Sequence, residues 1–139
     1  MKIKNITLIN MYNTLDKCGV YKFPQKIAYA IMKNIKILQS DVETYEVSFK
    51  KLEEKYNDQI QKDENGEIKR GANGSPIFKS NKDAEEFFKE YSELADIEIE
   101  VDLYQIDEEL FNYDDSNGKY DSLTPKDAFA LQSILCKQD

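Results

Sequence analysis

The chain has 139 residues, with 27 acidic and 19 basic side chains, two cysteines, and neither histidine nor tryptophan. One domain is expected at this length, long enough to build a core without disulfide or metal staples. The missing histidine excludes a Ser-His-Asp or Cys-His arrangement and any histidine-ligated metal.

Met1 to Lys4 alternates lysine with apolar residues and predicts a short strand, with Lys2 and Lys4 on one face. Asn5 is placed to cap a following helix, whose buried side would carry Ile6, Leu8, Ile9 and Leu15 and which would end at Gly19. Pro24 then marks a helix start, where its missing N–H costs nothing. From there Ala28, Ile35, Val42, Phe49 and Tyr56 recur every seven residues, and Ile31, Leu38, Tyr45 and Leu52 follow three positions later. Steps of three and four are the pattern of a coiled-coil seam. Helical over about 24–61, the segment would be a rod of about 57 Å at 1.5 Å per residue. A compact chain of this size has a radius of gyration of only about 14 Å. The rod must therefore bend, pack on another helix or pair with a second chain. Ile35, Leu38, Val42, Tyr45, Phe49, Leu52 and Tyr56 are the candidate oligomer seam.

Residues 63–80 break into turns, with Asn65-Gly66 and Asn73-Gly74 favouring positive φ. Glu67 to Arg70 and Pro76 to Lys79 can pair as a hairpin about the second of them. Ser80 with Asp83 resembles a capping box, and Ala84, Phe87, Phe88, Tyr91, Leu94 and Ala95 give the helix over 82–95 one apolar face. Ile97 to Ile106, IEIEVDLYQI, alternates strictly and predicts a strand with Ile97, Ile99, Val101 and Leu103 inward and Glu98, Glu100 and Asp102 outward. A short acidic turn near Glu108 to Phe111 and a loop at Asp114 to Gly118 follow. Thr124, Pro125 and Asp127 announce a last helix over 125–136, with Phe129, Leu131, Ile134 and Leu135 as its apolar surface. The fold class is α+β: one long amphipathic helix plus shorter helices packed on a small antiparallel sheet, in a single domain spanning 1–139.

Chemistry-bearing motifs are scarce. No glycine falls into a phosphate-binding pattern. The DDSNG segment fails as a calcium loop, because Tyr113 and Thr124 would occupy its first and twelfth positions. Cys18 and Cys136 are too far apart in sequence for a zinc pair and are expected to be reduced, partly buried thiols. The expectation is no catalytic residue, no metal, no cofactor and no enzyme. The N-terminus has no apolar core of a signal peptide, and Ile27 to Met32 is too short to span a membrane. A soluble intracellular protein without membrane contact follows as the expectation.

Charge is distributed unevenly. Residues 1–82 balance at +5, residues 83–121 at −13 and residues 122–139 at zero. One explanation is internal: Lys2 and Lys4 could face Glu98 and Glu100 across a strand pair. The other is an acidic face for a basic protein partner, made of Glu98, Glu100, Asp102, Glu108, Glu109, Asp114 and Asp115. Direct nucleic-acid binding is not expected, although the first 40 residues hold seven lysines against one acid.

The opening IKNITLINMYNTL, the stretch KLEEKYNDQIQKDENGEI and the block EEFFKEYSELADIEIEVDLYQI together resemble an uncharacterised family of small phage and prophage proteins of Firmicutes, a domain of unknown function. The shared features are the D-E-N-G turn at Asp63 to Gly66, the F-x-x-E-x-x-x-L run at Phe87 to Leu94 and the alternating strand after it. The resemblance implies a phage-related source and a non-enzymatic role, and it carries over no catalytic residue; the expected location is the bacterial host cytosol. Two functions are expected from these readings. One is an anti-defence, anti-CRISPR-type inhibitor that covers a basic surface of a host or phage protein. The other is an oligomeric assembly protein built on the heptad seam.

Overall fold

The computed structural model describes residues 1–137. It contains β1 (Lys2–Lys4), α1 (Asn5–Cys18), α2 (Gln25–Lys55), α3 (Asn81–Ala95), β2 (Glu98–Glu100) and α4 (Pro125–Leu135), with 3₁₀ turns at Asn57–Gln59 and Glu108–Phe111. The architecture is α+β, as the sequence predicts. The chain gathers into two compact units: Met1–Val42 together with the chain from Glu98 onward, and Glu43–Ile97. Helix α2 runs from the first into the second.

In the first unit, β1 and β2 pair antiparallel in the register Lys2↔Glu100, Ile3↔Ile99 and Lys4↔Glu98. Ile3 points into the core, and each lysine lies opposite a glutamate on the exposed face. Asn5 does not cap α1. Lys4 holds the N-cap position without a side-chain bond, and Asn5 is buried one residue inside the helix, because α1 starts directly where the strand ends. Leu8 and Leu15 of α1, Ile27, Ile31 and Leu38 of α2, and Leu131 and Leu135 of α4 are fully buried together with Cys18.

Thr124 caps α4 as expected, its Oγ1 accepting from the Asp127 amide at 3.2 Å. Phe129 departs from the expected apolar face and is 78% exposed. It lies two residues before Leu131, about 200° around the helix, on the opposite side from the buried stripe.

The strand expected over 97–106 shortens to a three-residue ladder because its partner β1 has only three residues. Ile97 closes the turn after α3 and is 52% exposed, whereas Ile99, Val101 and Leu103 keep the inward phase. Beyond Glu100 the chain finds other partners. The Val101 amide donates to the Met1 carbonyl at 2.9 Å, and the Ile106 amide donates to the Leu135 carbonyl at 2.8 Å. Between them Tyr104 is held by Asn34, a fully buried residue of α2. Asn34 Oδ1 accepts from the Tyr104 amide at 2.8 Å, while Nδ2 donates to the carbonyls of Tyr104 at 2.8 Å and Ala30 at 3.0 Å. One side chain thus supplies the two bonds that a neighbouring strand would otherwise give.

In the second unit, α2 stops at Lys55, short of the expected end near residue 61. Asn57 and Asp58 are weak helix formers, and the chain from Ile60 is drawn into extended pairing. Three short segments around residues 60–62, 68–70 and 76–78 each bridge the other two, through Ile60↔Phe78, Lys62↔Ile68 and Arg70↔Pro76. The Asn73-Gly74 hairpin is therefore present, joined by a third strand-like segment. Gly66 and Gly74 take φ of 77° and 82°, the left-handed region their turns require. Ser80 caps α3, with Oγ accepting from the Asp83 amide at 3.2 Å. Phe87 of α3 is fully buried, with the rings of Phe78 and Tyr56 centred 5.0 and 5.6 Å away.

Both cysteines are buried thiols outside any disulfide, more deeply buried than expected, and burial pushes both up from their ordinary pKa.

Candidate functional site

All seven residues of the expected acidic face lie in the first unit, and they differ in what engages them. The acids of residues 83–121 divide between the units, with those of α3 in one and those from Glu98 onward in the other. Glu98 and Glu100 are exposed but lie opposite Lys4 and Lys2, and Glu100 Oε1 also accepts from the Met1 amino group at 2.9 Å. Each of these two carboxylates thus has a lysine as its cross-strand neighbour.

Asp114 and Asp115 are engaged locally. Asp114 Oδ1 accepts from the Ser116 amide at 2.9 Å and from its hydroxyl at 2.6 Å, which holds the Asp114 carboxyl below its usual range. Asp115 is half-buried and accepts from the Ser122 hydroxyl, and Gly118 takes φ of 75° in the same loop. The segment is a hydrogen-bonded turn.

What is left is a shorter stretch. Asp102, Glu108 and Glu109 are exposed, and among the described residues their carboxylates enter no ion pair. Their backbone is well fixed. Tyr104 is clamped by Asn34, Ile106 pairs in parallel with Cys136, and Asp107 Oδ1 accepts from the Glu109 amide at 2.9 Å. The three carboxylates are thus exposed side chains on fixed backbone.

The seven candidate seam residues all have partners within the chain. Leu38 and Val42 belong to the core of the first unit, with Ile35 half-buried against it. In the second unit Phe49 stacks on Tyr45 and meets the edges of Phe87 and Tyr91, centred 6.3 and 5.9 Å away. Burial and the neighbouring Tyr91 hydroxyl push the Tyr45 phenol up. Tyr56 donates its hydroxyl to Glu90, and the proximity of that carboxylate raises its pKa to about 12. Leu52 lines an open groove with Leu94 and Ile97. The core and α3 thus cover much of the heptad spacing, while Ile35 and Leu52 keep an open side.

Three features escape a reading by spacing alone. Asn34 sits on the apolar stripe between Ile31 and Leu38, and a polar residue in that place is the available clue. Glu53, also on α2, is buried and accepts both arms of the Arg70 guanidinium, at 2.7 and 3.1 Å. A basic face on α2, around Tyr29 and Met32, is the third. No group of three His, Cys, Asp or Glu side chains among the described residues is placed to hold a metal ion, and no helix among them is long and apolar enough to cross a membrane.

No family model, no curated protein and no solved structure matches the chain.

Proposed function

We propose that this is a non-enzymatic interaction protein that docks on a basic protein surface through Asp102, Glu108 and Glu109. The observation that carries the reading is their exposure without an internal counter-charge, on backbone anchored by Asn34 and by the end of α4. The resemblance to small phage proteins gives the reading its specific form: an anti-defence, anti-CRISPR-type inhibitor of a host factor, acting in the bacterial cytosol. The assembly-protein alternative needs a seam open along its length, whereas Leu38 and Val42 are buried in the core of this chain and Phe49 packs on Phe87.

Charge reversal tests the proposal. A variant carrying D102K, E108K and E109K leaves the Lys2–Glu100 and Lys4–Glu98 strand pairs intact. It should retain its circular dichroism spectrum and lose a basic partner that the native chain captures from host extract at low salt. Exposed charge contacts are screened beyond about 8 Å at physiological ionic strength, so high salt should release the same partner. Equal capture by the native and reversed chains at low salt refutes the proposal.

A further inference from the structure

The N-terminal half of α2 presents a second surface of opposite character. From Lys17 to Ser40 the sequence holds five lysines and no acid, within a chain of net charge −8. Lys26, Lys33 and Lys36 are exposed and enter no ion pair among the described residues. Between them Tyr29 and Met32 are 51% and 58% exposed, and Ile35 is half-buried. Tyr29, Met32, Lys33, Ile35, Lys36 and Gln39 line a shallow cleft of about 500 Å³. The Tyr104 ring meets Tyr29 edge-on, with centroids 5.5 Å apart, and extends the apolar floor.

We infer that this face docks a short, acidic, amphipathic helix of a protein partner. The apolar floor calls for two or three large side chains on one helical stripe, and methionine adapts its shape to such partners. The lysines call for carboxylates beside that stripe. Lys26 and Lys33 lie two turns apart along α2, about 10.5 Å, a spacing that carboxylates seven residues apart on a partner helix reproduce. A nucleic acid fits less well. Three lysines neutralise few phosphates, each contributing only about one unit of salt slope, and the net charge of −8 opposes a long polyanion.

This inference is independent of the acidic row at 102–109, and its test uses different residues. The ¹⁵N-labelled full chain is titrated with a designed peptide of about 18 residues, long enough to be partly helical alone, with leucines on one face and glutamates flanking them. A scrambled peptide of the same composition, a single-stranded dT oligonucleotide and a dilution series without peptide are run beside it. The expected result is saturable shifts centred on Tyr29 to Lys36. The scrambled peptide and the K33E/K36E variant should each bind at least about tenfold more weakly, the loss of at least one good contact. M32S should also weaken binding, whereas D102K/E108K/E109K should not. Equal binding of the scrambled peptide, shifts mapping elsewhere, tighter binding of the oligonucleotide, or no peptide binding overturns the inference. Shifts of the same residues on concentration alone identify a second copy as the occupant and overturn it too.

Discussion

Replacing Asn34 separates its hydrogen bonding from its bulk. Asn34→Leu keeps the size of the side chain but removes both bonds to Tyr104, at 2.8 Å each, and the Nδ2 bond to the Ala30 carbonyl. The Ala30 carbonyl keeps its helical donor, so the loss falls on Tyr104. At about 1 kcal/mol net for each of those two bonds, the variant should be about 2 kcal/mol less stable. Asn34→Asp is more informative. An ionised aspartate still accepts from the Tyr104 amide, but it faces the carbonyl oxygens of Tyr104 and Ala30 with no proton to donate. The site has 0% exposure, so burial and these two oxygens raise the folded carboxyl above its unfolded value of about 3.9. A group with a raised folded pKa favours the native state below the unfolded pKa and loses that contribution as pH rises through the folded one. The deficit of Asn34→Asp relative to the native chain should therefore be smallest below about pH 4. It should grow with pH by about 1.4 kcal/mol for each unit by which the folded pKa is raised. Urea titrations followed by circular dichroism at several pH values measure this, and hydrogen exchange at the Tyr104 amide locates it. A pH-independent deficit for Asn34→Asp, or no cost for Asn34→Leu, refutes the role assigned to this residue.

Arg70→Met should lower urea stability by about 2 kcal/mol, because it strands the buried Glu53 carboxylate while part of the pair remains open to water. Arg70→Lys should recover only part of this, since an ammonium cannot reproduce the two-armed contact and the 3.1 Å bond to the Gly74 carbonyl together. Phe87→Ala should cost about 3–5 kcal/mol in the same measurement, because it empties the centre of the ring cluster in the second unit. The Glu90 carboxyl is held below its usual range by hydrogen bonds from Lys55 and Tyr56. A depressed folded pKa contributes stability above the unfolded carboxylate value, lost as pH falls through the folded pKa. Lys55→Met should accordingly be less stable than the native chain near pH 7 and approach it below about pH 4, read from urea midpoints.

The acidic proposal and the basic face of α2 differ in how far the sequence led to them. The acidic surplus was visible by counting, but counting placed Glu85, Glu98 and Glu109 in one block. The fold sends α3 to one unit and β2 to the other, and sets Glu98 and Glu100 against lysines. Asp102, Glu108 and Glu109 remain as the open part. The lysine-rich, acid-free run was equally countable. Only the exposure of Tyr29 and Met32 turned it into a surface with an apolar floor.

Interactions within a few residues were determined by the sequence itself. Ser80 and Thr124 cap their helices because the bonded amides are three positions away, and Gly66 and Gly74 take their turns because no side chain resists positive φ. The strand pairing of Lys2 and Lys4 with Glu98 and Glu100 was also legible, since two short alternating segments of opposite charge have few better partners. The tertiary structure decided where the helical seam goes, how long β2 is, and which side of α4 is wet. It also decided that Asn34 meets Tyr104, 70 residues away, and that Glu53 meets Arg70. The physical reason is range. A cap or turn is settled by local backbone geometry, whereas a stripe of apolar residues states only that a face must be covered. Which segment covers it depends on chain closure over tens of residues and on every competing surface at once.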